Sequence, residues 1–304
     1  MQKAFRKRFF LNILAAAAML SGCKNTTPRI LPDGSDTVST PDTEISDSPT
    51  PLPLFPEELQ GEHVLQNEET QTQPTEPPEI WDVSDVDISE IPSERKLISF
   101  TFDDAPARTL ENIFAVFADF NEENPDYTAS ATVFFNGCLF DSQTPHLLAT
   151  ACALGFELGN HTYSHLDLSA LEEEKAAEEI RKTDELLEKA DGKPYHLLRP
   201  PFGKIDDRIK AICPTPVVNW TIDTLDWTGV SEEAIYNCVL SQCFSGAIVL
   251  MHDGYPHTVS ALKRLLPELK NQGYQVVSVS KMVKAHGCVF RRGKEYIRAR
   301  KVQK

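Results

Sequence analysis

From residue 96 onward, short apolar runs rich in β-branched and aromatic residues alternate with segments of helical spacing. The apolar runs predict strands over 96–102, 131–135, 156–159, 196–198, 217–222, 247–250 and 275–279. The segments of helical spacing predict helices over 110–120, 145–154 and 169–190, and from about 231 and 259. Ser169 with Glu172 has the spacing of a capping box at the start of the longest helix, and Gly192 follows its end. This alternation predicts a parallel sheet, closed or nearly closed into a barrel.

The first 23 residues have the pattern of an export signal. A basic start is followed by an apolar stretch from Phe9 to Leu20, which is short for a transmembrane span. The stretch ends in Leu20-Ser21-Gly22-Cys23, which resembles the lipobox of bacterial lipoproteins. We therefore predict a signal peptide over 1–23 and a lipid anchor on Cys23. An ordinary secretory signal with an incidental cysteine is the alternative.

Residues 24–92 differ in composition from everything that follows. They hold 11 of the 21 prolines, and 16 Asp and Glu against two Lys and Arg, so the net charge of the remaining residues 93–304 is only −5. Such a segment cannot bury enough apolar surface to offset its chain entropy, which predicts a disordered acidic tether. Near its end, Trp81 lies among Ile80, Val83, Val86 and Ile88, which predicts a short arm that docks on the domain.

Residues 93–290 are long enough to form one substantial core, and we predict that they form the catalytic domain. Residues 291–304 carry seven Lys and Arg against Glu295, which predicts a frayed, solvated end. Weak contact of this basic tail with anionic polymers or phospholipid is the alternative. Six cysteines besides Cys23 allow up to three disulfides in an exported domain, or serve as small buried residues.

Charged or metal-binding side chains follow five of the predicted strands. They are Asp103-Asp104, His161, Arg199, Asp223 with Asp226, and His252. In β/α barrels the carboxyl ends of the strands converge on one face, so we predict that these groups share an active site. The spacing of His161 and His165 suits two neighbouring positions of a metal ion, and the aspartate pair can supply a third ligand.

Five segments in this order resemble the polysaccharide deacetylase family, the NodB-homology domain of carbohydrate esterase family 4. The resemblance covers roughly residues 95–285. Its motifs here are Thr101-Phe102-Asp103-Asp104-Ala105-Pro106, His161-Thr162-Tyr163-Ser164-His165, Arg199-Pro200-Pro201-Phe202-Gly203, Asp223-Thr224-Leu225-Asp226-Trp227 and Leu250-Met251-His252-Asp253.

The resemblance implies a distorted (β/α)7 barrel and a divalent metal, usually zinc, with Co²⁺ or another divalent ion as alternatives. It implies that the metal is bound by Asp104, His161 and His165. The catalytic residues it implies are Asp103 as general base, Arg199 orienting Asp103, Asp226 holding Arg199, and His252 as general acid. We expect Asp253 to orient His252 or to raise its pKa. The substrate-binding residues it implies are Phe202, through its backbone N–H, and Trp227 and Leu250, around the acetyl methyl group.

Two positions depart from the family pattern. Ala105 replaces the usual glycine, and if this position needs a positive φ, alanine would strain the turn by about 1 kcal/mol. Phe202 replaces the commoner tyrosine, which we expect to matter little because the backbone N–H is the group used.

These features predict a metal-dependent hydrolase that removes N-acetyl groups from an extracellular polymer containing N-acetylglucosamine, with peptidoglycan as the leading candidate. Chitooligosaccharide deacetylation and O-acetyl esterase activity on xylan are the alternatives within this chemistry. A non-catalytic glycan-binding domain is the alternative of another class. We expect a monomer on the outer side of the cell membrane, anchored through Cys23 or else secreted, with no nucleic-acid partner.

Overall fold

The structure is a computed structural model that describes residues 76–302. The predicted signal peptide, Cys23 and the tether up to residue 75 lie outside the described residues. The described strands are β1 (Lys96–Ala105), β2 (Thr132–Phe135), β3 (Glu157–Asn160), β4 (Leu197–Leu198), β5 (Val217–Val218), β6 (Ile222–Asp223), β7 (Ile248–His252), β8 (Tyr274–Val276) and β9 (Glu295–Tyr296). The described helices are α1 (Leu110–Glu123), α2 (Thr144–Ala153), α3 (Glu173–Asp191), α4 (Asp207–Ile212), α5 (Glu232–Gln242), α6 (Pro256–Asn271) and α7 (Val279–His286).

The strands form one curled sheet in the order β6-β7-β1-β2-β3-β4-β5-β9, with β8 beside the start of β1. Every pairing between these strands is parallel. Parallel strands are buried on both faces, which explains why the predicted strands are nearly continuous apolar runs. The predicted distorted β/α barrel is confirmed, and all of its strands point their carboxyl ends to the same side.

The barrel is completed by a segment that we predicted as a single strand, 217–222. The structure divides it into β5, which pairs with β4, and β6, which pairs with β7. Between them the chain changes partner: the Asn219 N–H donates to Tyr296 O, whereas the Thr221 N–H donates to Ile248 O. One continuous strand was therefore the wrong expectation, because this segment has to span two sides of the curled sheet.

The main core lies between the sheet and the helices α1, α5 and α6. Its aromatic centre is a chain of edge-to-face contacts, with ring centroids 6.3 Å apart for Phe102 and Phe117 and 4.9 Å apart for Phe117 and Phe156. Fully burying such a side chain stabilises the fold by about 1.5–3 kcal/mol relative to leaving it exposed. This packing fixes β1, whose carboxyl end carries the aspartate pair.

The start of the longest helix differs from the prediction. Leu168–Ala170 form a separate 3₁₀ turn in which the Asp167 carboxylate accepts from the backbone N–H and the hydroxyl of Ser169. Helix α3 therefore begins only at Glu173. The expected capping box does not form, because the Ser169 hydroxyl donates to Asp167 instead. The predicted end is confirmed, since Gly192 has φ 74° and its N–H donates to Glu188 O.

The predicted docking of an arm around Trp81 is confirmed. The indole Nε1–H donates to Ser280 Oγ at 2.9 Å, and the Trp81 backbone N–H donates to Phe290 O. Trp81 and Val83 pack against a second apolar cluster that includes Phe290 and Met282. Trp81 also lines a cavity with Phe156 and Glu157, at the start of β3, so the arm docks at the end of the barrel opposite the carboxyl ends of the strands.

The expectation of a frayed basic tail is wrong for residues 291–302. Strand β9 pairs with β5, the Ala299 side chain is fully buried, and the Val302 N–H donates to His286 O. Two basic residues of this tail bind the start of the arm: Arg291 lies 3.7 Å from a Glu79 carboxylate oxygen, and Arg292 Nη1 donates to Pro77 O. The tail's apolar and backbone groups thus override the tendency of its charges to remain solvated.

The six cysteines between residues 76 and 302 are all free thiols, so the disulfide alternative is wrong for this part of the chain. Burial raises the pKa of the Cys213 thiol to about 11, which keeps it protonated and inert. Within residues 76–302, no helix is both long and apolar enough to cross a membrane.

Candidate active site

The structure brings the predicted side chains together at the carboxyl ends of the strands. Asp103 and Asp104 end β1, His161 follows β3, Arg199 follows β4, and His252 ends β7. The register places Asp103 directly opposite His252 across the β1–β7 pair. The site is therefore built on the carboxyl ends of neighbouring strands, with each of these groups on the last residues of a strand or directly after it.

Asp104, His161 and His165 form a cluster suited to a metal ion, with candidate ligand atoms within 4.8 Å of one another. Asp104 Oδ1 lies 3.6 Å from His161 Nε2 and 3.3 Å from His165 Nε2. The spacing of the two histidines therefore places both rings at one carboxylate, as the sequence predicted.

The orientation of His161 shows that this donor set fits a cation. His161 is almost fully buried, and its Nδ1 lies 2.7 Å from Arg199 O. Because a carbonyl only accepts, Nδ1 carries the proton and Nε2 directs a lone pair toward the Asp104 carboxylate. Burial, opposed by the charges of Asp103 and Asp104, keeps the pKa of His161 below its ordinary value, so the ring is neutral and able to ligate. Two nitrogen donors and one carboxylate form a ligand set typical of catalytic zinc sites.

Five non-glycine residues among the described ones have a positive φ, and all lie in the loops of this site. They are Asp104 (63°), Thr162 (68°), His165 (56°), Phe202 (61°) and Leu225 (56°). This conformation costs of order 1 kcal/mol or more per residue and persists where the surroundings enforce it. Ala105 is not among them and is fully buried at the end of β1, so the expected strain at the alanine is absent and falls on Asp104 instead.

Arg199 holds Asp103, as the family resemblance implied. The fully buried guanidinium places Nη1 2.8 Å from Asp103 Oδ1 and 2.6 Å from Thr101 Oγ1, while Nε donates to Val218 O. Burial raises the pKa of the Asp103 carboxyl, but the charge of the neighbouring Arg199 guanidinium is the largest opposing influence, and the pKa stays below its ordinary value. Asp103 is therefore an anion whose orientation is fixed.

Asp226 does not hold Arg199, and this expectation is corrected. The Asp226 carboxylate is fully buried against His252: Oδ1 lies 2.7 Å from His252 Nδ1, and Oδ2 accepts from the His252 N–H at 2.8 Å and from Thr258 Oγ1 at 2.7 Å. Burial lowers the pKa of His252, but the hydrogen bond and charge of Asp226, with the charges of Asp103 and Asp104, raise it above its ordinary value. Asp226 contacts His252 because β6, which precedes Asp226, pairs with β7, which ends at His252.

Asp253 does not orient His252 either. Its carboxylate accepts instead from the backbone of Ala107, Thr109 and Gly254 and from the Thr109 hydroxyl. Because side chains alternate along a strand, Asp253 faces away from its neighbour His252 and toward the loop that follows β1.

The three predicted substrate-binding residues border the site in different ways. The side chains of Phe202 and Trp227 are exposed by 61% and 53%, whereas Leu250 is buried within β7. The Phe202 ring packs edge-to-face on His165, with centroids 4.9 Å apart, so this loop also supports a candidate ligand. Exposed aromatic rings beside a strand-end site are the kind of surface on which sugar rings pack.

Several residues that support the site were missed by sequence reasoning. Asn136 Nδ2 donates to His161 O at 2.7 Å, and Asn160 Oδ1 accepts from the Thr162 N–H at 2.8 Å. His257 Nε2 lies 2.7 Å from Asp226 O. Asn136 directly follows β2 and Asn160 ends β3, so their position at the end of an apolar run was the signal available. Nothing in the sequence indicated that the Thr258 hydroxyl donates to the Asp226 carboxylate.

Comparisons with known proteins agree with this geometry. The family model described as polysaccharide deacetylase matches residues 90–214, which contain Asp103, Asp104, both histidines of the cluster and Arg199. A peptidoglycan-N-acetylglucosamine deacetylase of Bacillus cereus is 36% identical over 203 residues, covering 64% of this chain and 92% of that protein. The peptidoglycan-N-acetylmuramic acid deacetylase PdaC of Bacillus subtilis is 31% identical and covers 62% of this chain, which spans only 39% of that longer protein.

A solved structure described as T48 deacetylase with substrate superposes with a TM-score of 0.61 at 30% identity. The match covers 66% of this chain and 96% of that one. The chain belongs to the polysaccharide deacetylase family, the metal-dependent deacetylases of carbohydrate esterase family 4.

Proposed function

We propose that this protein removes the N-acetyl group from N-acetylglucosamine residues of peptidoglycan, outside the cell and with the help of a divalent metal. The observation that carries the proposal is the arrangement of two charged pairs around one ligand cluster. The anion Asp103, fixed by Arg199, and the imidazole His252, fixed by Asp226, meet across the β1–β7 pair beside Asp104.

Zn²⁺ is the metal we propose, held by Asp104, His161 and His165, because two imidazoles and a carboxylate suit it and leave coordination positions open. When bound, such a metal acts as a Lewis acid and increases the acidity of water. Hard ions such as Mg²⁺ prefer all-oxygen ligands, so the two imidazoles argue against them. Co²⁺ accepts the same ligands and is a workable substitute.

The chain's own residues supply the proton transfers of amide hydrolysis. Asp103 accepts a proton from the water that attacks the acetyl carbon, and Arg199 keeps this carboxylate ionised and aimed. His252 donates a proton to the amine nitrogen as the carbon–nitrogen bond breaks, and Asp226 keeps the ring protonated until then. The products are acetate and the free amino sugar.

The remaining residues position the substrate. We assign the Phe202 backbone N–H to the oxygen on which negative charge develops, since a fixed donor there lowers the barrier. Trp227 and Leu250 are assigned to the acetyl methyl group. Phe202 and Trp227 are both well exposed at the rim, which suits a long polymer lying across the site rather than a small molecule enclosed by it.

Peptidoglycan is favoured as the substrate because the relatives described above are named for activity on it. We further propose that the signal over residues 1–23 exports the protein, that Cys23 anchors it on the outer side of the membrane as a monomer, and that the acidic segment after Cys23 lets it reach the wall. Incorporation of labelled fatty acid, lost in Cys23→Ser, would support the anchor. An unlabelled protein recovered from the medium would refute it.

An acetate-release screen tests the function directly. Peptidoglycan, chitooligosaccharides and acetylated xylan are offered to the metal-free protein and to the protein reloaded with Zn²⁺ or Co²⁺. We expect release from peptidoglycan that disappears on chelation and returns with metal. Preference for xylan would instead support an O-acetyl esterase, and release that is insensitive to chelation would refute the metal-dependent mechanism. Binding of glycan without release on any substrate would support a non-catalytic domain.

Two variants separate the assigned roles. Asp104→Asn should lose both metal and activity, whereas Asp103→Asn should retain metal and lose activity. Asp223→Asn serves as the control, because the Asp223 carboxylate accepts a hydrogen bond from the Leu225 N–H and, among the described residues, bonds none of the proposed catalytic or metal-binding side chains. Wild-type activity in Asp103→Asn would contradict its role as base.

A further inference from the structure

Asp253 is a buried carboxylate that the proposed chemistry does not use. It is only 2% exposed. Its Oδ2 accepts from the Ala107 N–H at 2.5 Å, and its Oδ1 accepts from the Thr109 N–H at 3.0 Å, from Thr109 Oγ1 at 2.6 Å and from the Gly254 N–H at 2.6 Å. Thr109 Oγ1 in turn accepts from the Gly254 N–H at 2.7 Å. We refer to Asp253 and Thr109, with these bonds, as the loop clamp.

The loop clamp acts on the segment that carries the candidate base and one candidate metal ligand. On one side of Asp104, the Asp253 N–H donates to Asp103 O at 2.9 Å. On the other side, the Asp253 carboxylate binds Ala107. Only Asp104, Ala105 and Pro106 lie between these two attachment points, and both hydrogen bonds are made by Asp253. The position of Asp104 is thus defined relative to the strand that bears His252.

Asp104 needs such support because its backbone has φ 63°. A left-handed aspartate costs of order 1 kcal/mol, so without restraint the segment would relax and turn the carboxylate away from the histidines. Hydrogen bonds to an ionised carboxylate are roughly twice as strong as neutral ones, and several converge here out of contact with water. The loop clamp is therefore strong enough to hold this conformation.

We propose that Asp253, acting with Thr109, is a positioning residue that holds Asp104 in its metal-binding conformation and fixes the base-bearing loop relative to the acid His252. This inference rests on the proposed function, since it concerns the same site. It differs from the expectation that Asp253 orients His252, because among the described residues no hydrogen bond joins their side chains.

A purely structural role makes a different prediction. Thr109 precedes the first residue of α1, so the loop clamp also ties down the start of that helix. If that were its only role, weakening it would lower the melting temperature but leave the metal affinity of the folded protein unchanged. Metal affinity is therefore the measurement that separates the two roles.

The test uses two disruptive variants and two controls. Asp253→Asn places an amide N–H₂ opposite at least one backbone N–H, and Thr109→Val removes the hydroxyl while keeping the shape. Thr109→Ser keeps the hydroxyl. Asp141→Asn is the matched control, because Asp141 accepts from the Thr144 N–H and Oγ1 in the same way at the start of α2, outside the site.

The Zn²⁺ affinity of each folded, metal-free protein is measured by competition with a chromophoric chelator, alongside its melting temperature and its kcat and KM. We expect the affinity to fall by about 10- to 100-fold in Asp253→Asn and Thr109→Val, the usual effect of losing a group that supports a ligand. It should stay within about threefold of wild type in Thr109→Ser and Asp141→Asn. The kcat should fall in the first two variants with little change in KM.

Three results would overturn the proposal: unchanged affinity in folded Asp253→Asn and Thr109→Val, equal losses in Thr109→Ser and Thr109→Val, or an equal loss in Asp141→Asn. Failure of the wild-type protein to bind Zn²⁺ would instead count against the proposed function. The two failures are thus distinguishable.

Discussion

Replacing Asp226 by asparagine tests the pairing that the structure corrected. The Asp226 carboxylate is fully buried, with Oδ1 2.7 Å from His252 Nδ1 and Oδ2 2.8 Å from the His252 backbone nitrogen. Asparagine keeps the shape but removes the charge. If its oxygen stays at the Oδ1 position, the ring keeps a neutral hydrogen bond; if the amide flips, its N–H₂ faces Nδ1 and forces the proton onto Nε2. In both arrangements, the protonated imidazole loses its anionic partner.

The size of the effect follows from the work assigned to His252. A positioned general acid contributes about 10²- to 10⁴-fold to a rate, and each tenfold loss corresponds to about 1.4 kcal/mol of barrier. We therefore expect kcat to fall by at least about 100-fold in Asp226→Asn, or about 2.7 kcal/mol. The affinity for Zn²⁺ should not change, because Asp226 contacts none of the three candidate ligands.

The pH profile gives a second readout with a defined sign. Burial lowers the pKa of His252, and Asp226 is the largest influence that raises it, so the ring stays protonated to a higher pH than an ordinary histidine. Activity that needs this proton is lost as the pH rises through that pKa. Removing the Asp226 charge lowers the pKa, so the alkaline limb of kcat should move to lower pH.

The assay is acetate release from the substrate chosen by the screen, measured across pH for wild type, Asp226→Asn and the control Asp223→Asn. Asp223 lies three residues earlier, and its carboxylate accepts from the Leu225 N–H and, within residues 76–302, from no proposed catalytic side chain, so its variant should match wild type. A kcat for Asp226→Asn within threefold of wild type would refute the reasoning. A large fall in kcat with an unmoved alkaline limb would show that Asp226 acts on something other than His252.

Three further predictions concern stability and the base. Burial lowers the pKa of His196, but two hydrogen-bonded aspartates raise it to about 9, so its stabilising contribution is complete below its unfolded pKa of about 6.5 and is lost as the pH rises through 9. In His196→Gln, the free energy of unfolding measured by urea titration should therefore change less with pH across this range, and the same pH dependence as in wild type would contradict the prediction. Trp81→Ala should lower the free energy of unfolding by about 2 kcal/mol, since the indole is half-buried. Ile80→Ala is the control and should have little effect, because the Ile80 side chain is 47% exposed. Equal losses of stability in the two variants would show that the arm is not docked. Arg199→Lys should lower the free energy of unfolding by about 3–5 kcal/mol, because lysine cannot replace a buried guanidinium that bonds Asp103 and two carbonyls. A melting temperature within about 2 °C of wild type would refute this prediction.

The sequence was sufficient to locate the site because position along a strand is a local property. An apolar run identifies a strand, and the polar residue that ends it must lie at the carboxyl edge of a parallel sheet. Asp104, His161 and Arg199 were all found in this way. The spacing of His161 and His165 likewise depends on one short loop, so both rings reach the same carboxylate.

The sequence was insufficient to pair the charges within the site. Besides the candidate metal ligand Asp104, three aspartates (Asp103, Asp226 and Asp253) lie near two groups that can carry positive charge (Arg199 and His252), and several pairings satisfy the count of charges. The choice depends on which strands are neighbours and on which side each residue faces. Those facts arise from the division of 217–222 into two strands, which no local pattern revealed.

The same limit applies to the tail. Its charges predicted a solvated end, but charge describes only the side chains that face water. The residues that decide its fate are Ala299, which is fully buried, and the backbone of β9, which needs the exposed edge of β5 as a partner. That edge is formed by residues about 80 positions earlier, so its availability could not be inferred from the tail itself.

The corrected pairing changes what the site can do. Arg199 carries a positive charge, so its partner Asp103 is held as an anion, which a base must be. Asp226 is the anion buried against His252, and it favours the protonated ring, which an acid must be. Had Asp226 held Arg199 as expected, His252 would have lost the hydrogen-bonded carboxylate that does most to keep it charged, and only the charges of Asp103 and Asp104 would have opposed burial, which favours the neutral ring. Two separate pairs, rather than one chain of three, allow opposite protonation states to coexist at the ends of adjacent strands.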